Sequence, residues 1–275
     1  MNAKIYRLFK WIQKGVPVIK VIPKIAQLED GEKLRGRNIV VVGGSRGIGF
    51  HIARKCTENG AQVLISGRSE STLKEAAELI GCKYAVFDVI GSDGFRDFID
   101  NAETALGGQV DSLVYNAALY LHEKSIMEVT EEGFEKQFST NLKAPYFLSQ
   151  EFIKYLERNK AEQGNILFIT SEMGLYCNDV PYGLGKASLN SFVEGLSRRY
   201  IKNNIRVNAI APGVMINDIS GTNYDDIYRK HASGQRYILP EEIAEVAGFL
   251  LSNAANCIAG AVIPCNQGNH LRCDW

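Results

Sequence analysis

Tyr182 and Lys186 stand four residues apart in the stretch YGLGKASLN. On a helix, positions i and i+4 share a face, so a phenol and an ammonium would project together. A free phenol loses its proton near pH ~10, too high for efficient acid–base work at neutrality. A neighbouring ammonium favours the phenolate, which predicts a lowered value for Tyr182. Taken alone, the pair fits a proton-transfer device and equally an ordinary solvated helix face. What lies upstream has to decide.

Upstream, VVVGGSRGIGF (40–50) places Gly43, Gly47 and Gly49 directly after an apolar run and at the start of a helical pattern. The first glycine permits a tight turn; the later ones let backbone approach a phosphate and let the helix pack on its strand. The helix N-terminus adds unpaired N–H donors and a partial positive charge. The spacing is G-x-x-x-G-x-G, so the turn speaks for a dinucleotide only through its position in a βα unit. At the end of the second strand an acid would bind the ribose 2′-OH of NAD. The sequence there is ISGRS, with Arg68 and no acid, and Arg46 sits in the Gly-rich turn. Two guanidiniums suit a 2′-phosphate, so NADP(H) is the expected cofactor, with NAD(H) as the alternative.

The elements that must carry these residues alternate. NIVVV (38–42), AQVLIS (61–66), KYAVFDV (83–89), VDSLVYNAA (110–118), GNILFIT (164–170), IRVNAIAP (205–212) and GAVIPC (260–265) read as strands. Helical patterns fall between them: ESTLKEAAELI, FRDFIDNAETAL, a long region over 124–159, Pro181 to Lys202, and PEEIAEVAGFLLS. Short apolar strands alternating with helices predict a parallel sheet covered on both faces. The expected fold class is α/β, a doubly wound, Rossmann-like three-layer sheet in a single domain over residues 35–275. Residues 1–34 form a basic N-terminal extension. Residues 214–237 have weak periodicity and read as a loop or short-helix excursion over the strand ends.

Formal net charge is zero, which gives no support to nucleic acid as a partner. The balance is uneven: Lys4, Arg7, Lys10, Lys14, Lys20 and Lys24 lie in residues 1–28 without an acid, leaving the body mildly acidic. Cys56, Cys82, Cys177, Cys257, Cys265 and Cys273 contain no C-x-x-C, and His122 and His231 lack ligand companions at suitable spacing, so no metal site is expected. The thiols read as reduced and the protein as cytoplasmic. No apolar run is long enough to span a bilayer.

In this order, the motifs resemble those of the short-chain dehydrogenase/reductase family, from about Arg35 to Gly268, and in particular its 3-oxoacyl-ACP reductase-like members. GGSRGIG resembles the cofactor turn, Asp88 and Val89 the pair beside the adenine, and YNAA (115–118) the family's Asn-Asn-Ala-Gly. Asn141 in STNLKAPYFLSQ, Ser171 in ILFITSEMG, and Tyr182 with Lys186 resemble the catalytic set; VNAIAPG, ending at Gly213, resembles the loop near the nicotinamide. The resemblance implies a cofactor site of Gly43, Ser45, Arg46, Gly47, Ile48, Gly49, Arg68, Asp88, Val89, Asn116, Ala117, Pro212 and Gly213, together with Tyr182 and Lys186. It implies that Tyr182 exchanges a proton with the reacting oxygen and Ser171 holds that oxygen. Lys186 bonds the nicotinamide ribose, and Asn141 stabilises a helix irregularity and a proton-passing water. The sequence departs at Val42, Tyr115, Ala118 and Asn217, where the family has Thr, Asn, Gly and Thr, and Ser171 precedes Tyr182 by eleven positions.

The implied activity is hydride transfer between a nicotinamide and a small carbonyl or alcohol. The substrate could be a 3-oxoacyl thioester, a sugar or another polar metabolite. The alternative from a different class is a dinucleotide-binding sensor or scaffold without turnover. In KIYRLFKWIQK, Ile5, Leu8, Phe9 and Ile12 follow amphipathic spacing with basic residues on the other faces. This arm reads either as a membrane-surface segment or as a helix docked on the body or a neighbouring subunit. The first reading would make the protein peripherally membrane-associated. A homotetramer or homodimer is implied by the resemblance.

Overall fold

The computed structural model describes residues 31–91, 94–215 and 227–271. The N-terminal arm through residue 30, residues 216–226 of the 214–237 excursion (Asn217 among them) and Cys273 lie outside the described residues.

Seven parallel strands run in the order β3-β2-β1-β4-β5-β6-β7. They are β1 Asn38–Val42, β2 Gln62–Gly67, β3 Lys83–Val86, β4 Ser112–Tyr115, β5 Gly164–Ile169, β6 Ile205–Pro212 and β7 Val262–Cys265. Their side chains alternate between faces. Ile39 and Val41 of β1 join one core with Ile52 and Cys56 of α1 (Gly47–Glu58), Leu73 of α2 (Glu70–Ile80) and Ile243 of α7 (Pro240–Leu251). Val40 and Val42 join the other, with Phe98 of α3 (Phe95–Leu106), Phe152 of α5 (Ala144–Arg158) and Val193 of α6 (Pro181–Tyr200). Two buried faces require the uninterrupted apolar strands seen in the sequence.

Two expected strands end early. β3 stops at Val86, where its partner β2 ends at Gly67. β4 stops at Tyr115, because the N–H groups of Asn116 and Ala117 both turn to donate to the carbonyl of Val42 at 3.0 Å. The helix expected over 124–159 is broken into a 3-10 turn at Ile126–Glu128, α4 at Glu131–Phe138, a π-turn at Ser139–Lys143, and α5. Thr130 caps α4 by accepting from the N–H of Gly133. Pro145 has no N–H to return to the carbonyl four residues back, Asn141, so the helical register must change there.

Strand order reverses between β1 and β4. Ligands of such sheets bind in the crevice outside the carboxyl ends at that point.

Candidate active site

The crevice is a cavity of about 350 Å³ lined by Gly43, Ser45, Arg46, Gly47, Ile48, Arg68, Asp88, Val89, Asn116 and Ala117, all expected in the cofactor site. Gly49 lies buried beneath it. The turn allows no side chain at Gly43 or Gly49. Gly43 has φ +81, and a Cβ there would lie 2.8 Å from the nitrogen of Ala117; one on Gly49 would lie 2.1 Å from the carbonyl oxygen of Gly43. Asn116 Nδ2 donates to that same Gly43 oxygen at 2.7 Å, fixing the turn against the end of β4. No side chain caps α1 at Arg46, so its first N–H groups face the turn as anion donors. A cradle of backbone donors flanked by Arg46 and Arg68 fits a dinucleotide phosphate chain.

Thr140, Phe87, Ile90 and Leu119 also line the cavity and were not expected from the sequence. Only their proximity to lining residues could have signalled them. Pro212 ends β6, and the N–H of Gly213 donates to the carbonyl of Cys265 at 3.1 Å.

Asn141 lies in the π-turn, fully buried. Its Nδ2 donates to the Leu119 carbonyl at 2.7 Å, and its Oδ1 accepts from the Leu119 N–H at 3.0 Å. Tyr115, the departure from the expected asparagine, is also explained here. Its hydroxyl donates to the carbonyl of Thr140 at 2.7 Å, tying the end of β4 to the π-turn.

Ser171 follows β5, with its hydroxyl accepting from the N–H of Met173 at 3.1 Å. It also lies close enough to the Tyr182 phenol to draw that group's pKa downward. Tyr182 occupies the first turn of α6, after Pro181, and Lys186 follows one turn on with its Nζ 5.6 Å from the Tyr182 ring centre. The Lys186 ammonium donates to the carbonyl of Ile169 at 2.9 Å.

The expected acidification of Tyr182 by Lys186 is not what the structure shows. Burial pushes the phenol up to about 12, against the downward pull of Ser171. Burial brings Lys186 down to about 7. The reason is shared: both groups are desolvated, and desolvation penalises each charged form. A lysine that is half neutral near pH ~7 also lends less charge to its neighbour.

Over residues 42–270 the sequence matches the family described as Enoyl-(Acyl carrier protein) reductase. The chain belongs to the short-chain dehydrogenase/reductase family. It is similar to the 3-oxoacyl-[acyl-carrier-protein] reductase MabA of Mycobacterium tuberculosis, 32% identical over 240 residues, covering 84% of this chain and 92% of that protein. The FabG enzyme of Aquifex aeolicus with the same activity name is 30% identical over 247 residues, covering 86% of this chain and 98% of that one. Among solved structures, a Pseudomonas aeruginosa RhlG/NADP complex superposes with TM-score 0.78 at 26% identity, over 89% of this chain and all of that one (100%). A short chain dehydrogenase from Burkholderia cenocepacia in complex with NADP gives TM-score 0.77 at 26% identity, over 87% of this chain and 100% of that one. The short-chain dehydrogenase/reductase chain described here is an oxidoreductase of the kind that acts on carbonyls and alcohols with a nicotinamide dinucleotide. Among its described residues, no helix is long and apolar enough to cross a membrane.

Proposed function

We propose that this protein is an NADP(H)-dependent carbonyl reductase whose general acid is Tyr182, acting on a 3-oxoacyl thioester. The observation that carries the chemistry is the buried Tyr182 phenol beside Ser171, with the Lys186 Nζ one helical turn away and 5.6 Å from the phenol's ring centre. The dinucleotide, when bound, supplies the hydride. Ser171 holds the substrate oxygen. Tyr182 delivers its proton to the alkoxide that develops there. A phenol held near 12 carries its proton at neutrality, so the proton is present to give, but efficient transfer requires bound substrate and dinucleotide to lower that value. Lys186 on α6 is assigned the nicotinamide ribose, and Asn141 holds Leu119, which lines the crevice.

The cofactor preference rests on Arg46 and Arg68, two exposed guanidiniums at the mouth of the cavity with no acid at the end of β2. NADP-bound relatives support the same choice. The thioester assignment follows the activity named for the similar reductases. Assembly as a homodimer or homotetramer would cover the outward aromatics Phe134, Tyr146 and Phe147.

The deciding experiment follows NADPH absorbance over a panel containing acetoacetyl-CoA, simple ketones and keto sugars, with Tyr182→Phe beside the wild type. The expected result is turnover of the thioester, lost in the variant while NADPH binding persists. Dinucleotide binding with no turnover anywhere on the panel would instead support a sensor or scaffold.

A further inference from the structure

We propose that Tyr120 is a positioning residue for the Tyr182 phenol, its ring bracing the Tyr182 ring in the orientation that reaches Ser171. The two rings stack with centres 4.4 Å apart and planes at 25°. This inference rests on the reading of Tyr182 as the general acid.

The need for a brace comes from where Tyr182 stands. It is the second residue of α6. Helical Cα–Cβ bonds tilt toward the N-terminus, so a first-turn side chain leans past the end of its own helix. No preceding turn of α6 exists for the ring to lie on. The Lys186 ammonium, 5.6 Å from the ring centre, is already committed to the carbonyl of Ile169. Ser171 lies beside the phenol of Tyr182 and does not set the plane of its ring. Tyr120 supplies that plane, in the offset-stacked arrangement aromatic pairs prefer.

Tyr120 is itself held on both sides in the chain. Asn141 bonds both backbone groups of Leu119, at 2.7 and 3.0 Å. The N–H of Leu121 donates to Gln137 Oε1 at 3.4 Å, and Gln137 Nε2 donates to Glu123 Oε1 at 2.6 Å. Gln137 is fully buried, so these anchors are set by α4. His122 takes a left-handed backbone, φ +64, a conformation a non-glycine residue keeps only when its surroundings impose it. Its ring lies 4.2 Å from that of Tyr120, tilted by 39°, and packs against it. Tyr120 belongs to neither core cluster. Its rigid placement is therefore directed at the reactive phenol rather than at stabilising the sheet.

The test uses the full-length protein and whichever panel carbonyl it reduces, with NADPH affinity read separately by fluorescence. Tyr120→Phe keeps the stacked ring and should retain kcat within about twofold. Tyr120→Leu and Tyr120→Ala remove the stack and should lower kcat about ten- to a hundredfold, with NADPH affinity unchanged within about twofold. The leucine variant keeps apolar bulk, so it remains readable if the alanine variant melts early. Tyr182→Phe is run alongside. If it turns over like wild type, or if no carbonyl is reduced at all, the acid assignment fails and this inference fails with it. If Tyr182→Phe is inactive while Tyr120→Leu keeps wild-type kcat, the acid stands and the brace is overturned. Equal losses in Tyr120→Phe and Tyr120→Leu would also overturn it, since the hydroxyl rather than the ring would then matter.

Discussion

Asn141 grips Leu119 by both backbone groups, donating to its carbonyl at 2.7 Å and accepting from its N–H at 3.0 Å. The carboxamide thereby couples a π-turn between α4 and α5 to the loop that closes the cofactor crevice. A carboxylate could not replace it, because one donor and one acceptor are both required. Asn141→Asp should lose about as much stability as Asn141→Ala, on the order of 1–3 kcal/mol for the buried groups left unpaired. Both variants should lower the thermal midpoint and weaken NADPH binding. Wild-type values for Asn141→Asp would show that the paired geometry is not what matters.

Lys186 makes stability depend on pH. Its value falls from 10.5 unfolded to about 7 folded because burial penalises the ammonium. Below the folded value both states hold the proton and the folded state bears the full penalty. Above it, only the unfolded chain keeps the proton, so the penalty is relieved as pH rises toward 10.5. Cys56 and Tyr182, raised by burial from 9.0 and 10.0, act in the opposite sense at the alkaline end. The useful window is therefore about pH 7 to 9. Urea midpoints across it should rise for wild type relative to Lys186→Met. Parallel pH profiles for the two proteins would contradict the depressed lysine.

The parallel sheet was legible because its central strands are buried on both faces and so need apolar runs, as IVVV (39–42) and ILFI (166–169) supply. The crevice was legible because Gly43 and Gly49 sit where a Cβ would strike the neighbouring backbone. Residues whose role arises across the fold were not legible. Tyr120 and Tyr115 look like ordinary aromatics until the loop after β4 meets α6 and the π-turn. The direction of the Tyr182 shift was missed for the same reason. Spacing gives the distance to Lys186, whereas burial, which outweighs it, depends on the packed surroundings.

Arg46 and Arg68 line the same cavity, and the proposed cofactor preference rests on them. A hydrogen bond to a charged partner contributes about 1.5–3 kcal/mol. Replacing either arginine by alanine should raise the KM for NADPH by about tenfold or more and leave that for NADH nearly unchanged. The double variant should therefore approach indifference between the two dinucleotides. Steady-state kinetics with both cofactors measure the ratio directly. An unaltered NADPH preference in the double variant would place the 2′-phosphate on other groups.

Glu172 is buried directly after Ser171, and one of its carboxylate oxygens accepts three hydrogen bonds. They come from the Tyr176 hydroxyl at 3.0 Å, Asn266 Nδ2 at 3.0 Å and Asn269 Nδ2 at 3.1 Å. The turn carrying Ser171 is thus strapped to the segment after β7. Its oxygen also lies where a Cβ on Gly213 would come within 3.3 Å, so the strap backs the end of β6 as well. Glu172→Ala removes the shared acceptor of three donors, and a buried donor left unsatisfied costs about 1–3 kcal/mol. Relaxation and water will recover part of that, so a loss of a few kcal/mol is expected. Glu172→Gln keeps an acceptor oxygen and should lose less. Because the strap holds the Ser171 turn, kcat should fall in the order wild type, glutamine, alanine, in step with the thermal midpoint. An alanine variant that melts early yet keeps wild-type kcat would separate the network from catalysis and confine Glu172 to holding the fold.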